Sequence, residues 1–220
     1  MERSKKWLHT VCPAFSVTII LMLICGLAYP LLMNGLSHVI FPDQAKGSLV
    51  LADGEAVGAR YVGQEFTEPY FMKGRPSSVH YNTYEVGADG EMRYLDGTPF
   101  HGVASGSYNY APSNPALQER IKADMEAFLR ANPDIRQDEI PADLMTASGS
   151  GLDPHISVEA ANIQLPAISE ASGLSMEELE QIVADNTTGK LFGLFGNEVV
   201  NVLDVNVDIA EAMGLVQATK

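Results

Sequence analysis

Residues 11–41 read VCPAFSVTIILMLICGLAYPLLMNGLSHVIF, and no Asp, Glu, Lys or Arg occurs between Lys6 and Asp43. The densest part, Ala14 to Met33, is 20 residues long. As a helix it would span about 30 Å, the thickness of a bilayer's hydrocarbon core. A buried helix of a soluble protein carries polar residues at helical spacing, and this run carries almost none. It predicts a transmembrane helix, assigned to residues 11–36. A cleaved secretory signal is the rival, because Arg3, Lys5 and Lys6 precede the run. Cleaved signals have an apolar core of roughly 7–15 residues that ends in a small-x-small site. Here the apolar character continues through Tyr29, Pro30, Leu31 and Leu32, and no A-x-A pattern follows. Lipid modification at Cys25 is disfavoured by the bulk of Ile24 before it. Orientation is read from the flanks: three basic residues precede the run, and only Lys46, beside Asp43, closely follows it. The positive-inside rule then gives a cytoplasmic tail (1–10) and an extracytoplasmic domain (37–220). Trp7 and Tyr29 are placed where aromatic rings sit at the two interfaces.

Charge is unevenly divided. Beyond the helix there are 11 basic and 27 acidic residues, a net −16. Such a surface disfavours nucleic acid and anionic membrane contact and weakly attracts cations. About 180 residues outside the membrane suffice for one domain with its own core. The two cysteines, Cys12 and Cys25, both belong to the apolar run, so the outer domain is expected to fold without a disulfide.

Along that domain, Gly54, Gly58 and Gly63 amid Val, Ala and Tyr predict short strands and turns. Residues 69–82, PYFMKGRPSSVHYN, lack a helical period, and 85–108 read as exposed loop or hairpin. Asn114 and Pro115 open a helix through Leu117, Ile121, Met125 and Phe128, which Asn132-Pro133 ends. Ser157 is expected to cap a second helix through Ala171, kinked at Pro166 and closed by Gly173. Ser175 and Glu178 form a capping box for a third, which Gly189 is expected to stop with Lys190 near the negative dipole end. Val199–Val205 has the alternation of a strand, with a short helix after it. The fold class is thus an α+β extracytoplasmic domain anchored by a single N-terminal transmembrane helix.

TASGSGLDPHIS (146–157) raises hydrolase chemistry through Ser148 or Ser150 with Asp153 and His155. A triad needs spatial order, and the G-x-S-x-G elbow fails because Ser148 stands two before Ser150. The alternative is a turn feeding a helix, with Gly149 and Gly151 supplying unusual backbone angles. NTTGK (186–190) misses the P-loop pattern twice, at Ala184 and Leu191. His80, His101 and His155 show no metal-ligand spacing. Arg75, ahead of Pro76, suits either a carboxylate or carbonyls on a partner, or an internal salt bridge.

Three blocks carry a resemblance to a known family. They are GQEFTEPYFMKGRPS (63–77), TASGSGLDPHIS (146–157) preceded by IPADL (140–144), and FGNEVVNVLDVN (195–206). In these the chain resembles the C subunit of the Kdp-type bacterial potassium-transporting ATPase, KdpC, over essentially its whole length. The resemblance implies an accessory, non-catalytic subunit of a high-affinity ATP-driven potassium uptake complex in the bacterial inner membrane. Implied partners are a K+-selecting channel-like subunit (KdpA-like), a P-type ATPase subunit phosphorylated on aspartate (KdpB-like), a small single-helix subunit (KdpF-like) and the lipid bilayer. The C subunit is implied to hold the complex together over the external side of the channel-like subunit. A catalytic-chaperone role, raising the ATPase subunit's affinity for ATP, is attributed to the family. No cofactor is expected on this chain itself beyond that ATP attribution, and K+ is carried by the complex. The resemblance makes motif and partner-contact candidates of Gln64, Phe66, Phe71, Gly74, Arg75, Pro76 and Ser77. From the second block come Ser148, Gly149, Ser150, Gly151, Leu152, Asp153, Pro154, His155, Ile156 and Ser157, and from the third Asn201 and Asn206.

Overall fold

The computed structural model describes residues 2–219, with 2–10 and 218–219 described as backbone only. Met1 and the side chains of Arg3, Lys5, Lys6 and Trp7, on which orientation and one interfacial ring were read, lie outside the described residues. The chain divides into two compact units, Met1–Ser48 and Leu49–Lys220.

The first unit is helical. Helix α1 (Glu2–Leu23) passes through one π turn (Ile24–Ala28) into α2 (Tyr29–Ile40), and a short α3 (Pro42–Ala45) follows. The helix thus runs four residues beyond the expected end at 36. Its apolar span, Val11–Ile40, is 30 residues long, reaches a mean hydropathy of 2.4 over an 18-residue window and has no buried side chain. That is about 45 Å of helix, enough to cross a hydrocarbon core. The π turn has a local cause. Pro30 has no N–H to donate to Gly26, and its ring crowds that carbonyl. Widening by one residue, with Tyr29 N–H donating to Ile24 O, absorbs the misfit. Three of the polar side chains bond within the helix. Thr18 Oγ1 donates to Ala14 O at 2.9 Å, Ser37 Oγ donates to Asn34 O at 2.8 Å, and His38 Nδ1 lies 2.9 Å from Asn34 O. Internal bonds of this kind are what a lipid environment demands.

The second unit mixes helix and sheet. Strands β1 (Leu49–Ala52) and β2 (Glu55–Ala59) form an antiparallel hairpin. Asp53 and Gly54 at its tip have φ of 53° and 81°, as a type I′ turn requires. Residues 60–79 run irregularly to a left-handed turn at 80–82, and the β3 (Tyr84–Val86) and β4 (Met92–Tyr94) hairpin follows. Helix α4 (Pro115–Ala131) starts where expected, with the Asn114 side chain accepting from Ala116 N–H. Beyond it come β5 (His155–Ile156), α5 (Val158–Asn162), α6 (Leu165–Ser172), α7 (Met176–Asp185), β6 (Thr187–Thr188), β7 (Val199–Asn201), α8 (Val202–Ala212) and β8 (Ala218–Thr219). The two larger sheets have strand orders β2-β1-β8 and β5-β7-β6.

Three local expectations are corrected. The helix expected from Ser157 to Ala171 is two helices, because the chain breaks at Ile163–Gln164 and Pro166 serves the first turn of α6. The next helix ends at Asp185, not Gly189; Asn186 Nδ2 donates to Ile182 O and the chain enters β6. The strand expected over 199–205 stops at Asn201, where α8 begins. Here burial outweighs propensity. A β-branched residue costs a helix a few tenths of a kcal/mol, whereas burying its side chain returns about 1.5–3 kcal/mol. Val202, Leu203, Val205, Val207 and Ile209 are all buried, so α8 is the central helix of the core. Val202, Val205 and Ile209 pack in one cluster with Ile156, Leu165, Leu179 and Val200, while Leu203 and Val207 pack with Val50 in a second.

Candidate functional site

The three sequence blocks are fastened to one another. Gly63 N–H donates to Leu152 O at 2.9 Å, and Ser77 Oγ donates to Gly151 O at 2.6 Å. Arg75 Nε donates to Thr146 O, and its Nη1 lies 3.2 Å from Asp153 Oδ2. Of the two readings of Arg75, the structure displays the internal salt bridge. Asp153 also accepts from His155 N–H at 3.0 Å. His155, and then Arg75, hold its carboxyl below the usual range. The second block joins the third through β5–β7 pairing and through Val202 N–H, which donates to Pro154 O. Asn201 caps α8 by accepting from Asp204 N–H and donates its own amide to Arg60 O at 2.8 Å.

Asn206 and Gln164 act as side-chain substitutes for a strand partner. Asn206, 1 % exposed, accepts from Met72 N–H at 2.7 Å and donates to Met72 O at 2.9 Å. Gln164 does the same for Lys73, accepting at 2.8 Å and donating at 3.2 Å. An extended backbone can therefore cross the core with its polar groups satisfied. Phe66 and Phe71 meet edge to face, 5.5 Å between centroids, and Gln64 Nε2 donates to Val57 O. Ile156 is buried, and Ser157 caps α5 while its N–H donates to Asp143 Oδ2 at 2.7 Å.

Above this lattice lies a cleft of about 460 Å³ between α4 and residues 65–81. It is lined by apolar side chains (Phe66, Ala127, Phe128, Leu144, Met145) and polar ones (Glu65, Lys73, Arg75, His80, Tyr81, Asp124). Of the family-motif candidates, Phe66, Gly74, Arg75, Pro76 and Ser77 line it; residues 148–157, Asn201 and Asn206 do not. Burial pushes the Glu65 and Asp124 carboxyls up and the Lys73 ammonium down. Lys73 Nζ donates to Phe66 O at 2.7 Å and to Glu68 O at 2.6 Å.

One wall is backbone held in an unusual state. His80, Tyr81 and Asn82 have φ of 48°, 50° and 55°, a conformation costing of order 1 kcal/mol or more per residue. Neighbours impose it. Ser77 Oγ accepts from Tyr81 N–H at 2.9 Å, and the Asn82 amide makes two 2.9 Å bonds to Ala104. Tyr81 Oη donates to Arg75 O at 2.5 Å, and burial pushes its phenol up to about 12. A Cβ on Gly74 would come within 2.9 Å of that hydroxyl. Tyr81, Asp143 and Gln164 escaped the sequence reading. The available signals were a lone glutamine in the apolar run IQLP and the place of Asp143 in the IPADL block; Tyr81 offered none.

The hydrolase arrangement is not formed. Ser148 Oγ accepts from Gly151 N–H at 2.9 Å, and Ser150 Oγ accepts from Leu152 N–H at 3.1 Å. The two hydroxyl oxygens lie 3.3 Å apart. His155 Nδ1 faces Asp153 at 3.7 Å, and among the described residues no hydrogen bond joins it to either serine. Only one of the two turn glycines has the expected backbone, Gly151 at φ 67°. A Cβ there would lie 2.6 Å from Gly106 O, whereas Gly149 is unconstrained.

Comparison with known proteins covers nearly the whole chain. A family model described as the K+-transporting ATPase, c chain (KdpC), matches residues 11–211. The potassium-transporting ATPase KdpC subunit of Clostridium kluyveri is 56% identical over 201 residues, 91% of this chain and 93% of its own. That of Clostridioides difficile is 50% identical over 210 residues, 95% of this chain and all of its own. That of Bacillus cereus is 39% identical over 202 residues, 91% of this chain and 95% of its own. A match of this length through all three interlocked blocks shows that the chain belongs to the KdpC family, the c chain of K+-transporting ATPases.

Proposed function

We propose that this chain is an accessory, non-catalytic subunit of an ATP-driven potassium uptake complex. The helix anchors it in the bacterial cell membrane with the N-terminus in the cytoplasm and the 37–220 domain outside. There the domain covers the external side of a K+-selecting channel-like subunit, beside a P-type ATPase subunit and a small single-helix subunit. The observation that carries this reading is what the motif residues are used for. Arg75, Asp153, Ser77, Ser148, Ser150, Asn201 and Asn206 are all engaged in bonds within the domain. Together they build a folded body on a membrane tether, and neither Ser148 nor Ser150 is hydrogen-bonded to a base. The aspartate that is phosphorylated belongs, on this reading, to the ATPase subunit. Any increase in that subunit's ATP affinity arises through assembly, because the domain and cytoplasmic ATP are on opposite sides of the bilayer.

Removing residues 11–41 is expected to yield a soluble domain that no longer co-purifies with the other pump subunits. A phosphatase reporter that is active only outside the cytoplasm, fused after Lys220, is expected to be active. Wild-type uptake from micromolar potassium in cells lacking this chain would overturn the accessory role. An inactive reporter would overturn the orientation.

A further inference from the structure

Between β6 and β7 the chain reads GKLFGLFGN (189–197), and its large apolar side chains point away from the core. Leu191, Phe192, Leu194 and Phe195 are 63, 85, 78 and 66 % exposed. Isolated exposed leucines are ordinary, but four large apolar side chains within five residues mark an interaction site. The tip is pre-shaped. Leu191 N–H donates to Phe195 O at 2.8 Å, and Phe195 N–H donates back to Leu191 O at 3.0 Å. Phe192 takes a left-handed backbone, φ 54°, next to Gly193 at 72°. With those backbone groups paired internally, the tip can leave water without orphaning them. It projects from β7, the central strand of β5-β7-β6, which leads directly into buried α8. A load on the tip therefore reaches the interlocked motif blocks.

Charge selects the occupant. The domain carries −16, and between Asn186 and Asn201 the charges are Lys190 and Glu198, which sum to zero. An anionic bilayer surface repels such a domain, and a second copy of it does so too. Preformed, aromatic-rich and uncharged, the tip suits an apolar protein pocket whose rim is basic. We propose that Leu191–Phe195 is a plug that seats in an apolar, basic-rimmed socket on another subunit of the same pump. This rests on the reading of the chain as a pump subunit.

The test uses the full-length tagged chain co-expressed with the other subunits. A photo-crosslinking residue replacing Phe192 is expected to give an adduct whose second component is another pump subunit. Adducts to lipid alone, to a second copy of this chain, or none at all would overturn the plug. Phe192→Ser with Leu194→Ser is expected to reduce recovery of the other subunits at least about tenfold. Phe192→Leu is expected to keep it, and the melting temperature of the purified chain is expected to hold in both. Wild-type recovery with the double serine variant would overturn the plug while leaving the subunit reading intact. If the unsubstituted chain itself recovers no pump subunit, the subunit reading fails and the plug with it.

Discussion

Two glycines in the motif blocks show how differently identical residues can be constrained. Gly63 sits where a Cβ would lie 2.6 Å from both the Asp153 carbonyl oxygen and Tyr81 Cε1, so the first and second blocks can close only over a hydrogen atom. Gly149 has open space and an unremarkable φ. Gly63→Ala is expected to destabilise the domain by about 2 kcal/mol, the usual cost of overpacking. Gly149→Ala should remain within about 0.5 kcal/mol of wild type. Thermal melts of the detergent-solubilised variants measure both, and equal effects would mean that the blocks do not meet at Gly63. The sequence offered no way to rank them, because a close approach between residues 63 and 153 is a property of the fold.

At the scale of elements, α8 depends on one residue that does two jobs. Asn201 ends β7, caps α8 through its side-chain oxygen and holds Arg60 O through its nitrogen. Losing a cap costs about 1 kcal/mol and stranding the carbonyl about 1 more. Asn201→Ala is therefore expected to lose about 2 kcal/mol by chemical denaturation. Asn201→Asp, which retains the acceptor but not the donor, should recover roughly half of that. Helix starts of this local kind were legible: Asn114, Ser157 and Ser175 all cap where the sequence placed them. The fate of 199–212 was not, because its β-branched residues match a strand locally and a core helix globally.

Over the whole molecule, the cleft charges act on the pH dependence of stability. Burial raises the folded-state pKa of Glu65 above its unfolded value. The folded protein then binds more protons than the unfolded one in the interval between those two values. The ionised carboxylate consequently costs stability above the folded pKa, and the cost fades as pH falls through that interval. Glu65→Gln is expected to raise the melting temperature at pH 7–8 and to match wild type below about pH 4. A constant difference across that range would mean that titration of Glu65 does not contribute.

Composition and near-neighbour chemistry alone determined the long apolar helix, the N-caps at Asn114, Ser157 and Ser175, and the mixed fold class. Each of these depends on interactions within a few residues, or on the sheer length of an uncharged run. Tertiary structure decided the rest. Met72 is held by Asn206 from 134 residues away, and Lys73 by Gln164 from 91. The 69–82 segment has no helical period to read, and at Met72 and Lys73 its backbone partners are side chains supplied by distant helices. Burial of α8 at the centre of the core likewise overrode the strand preference of its valines. What made those assignments was the pairing of polar groups and the exclusion of water at long range, neither of which a local window contains.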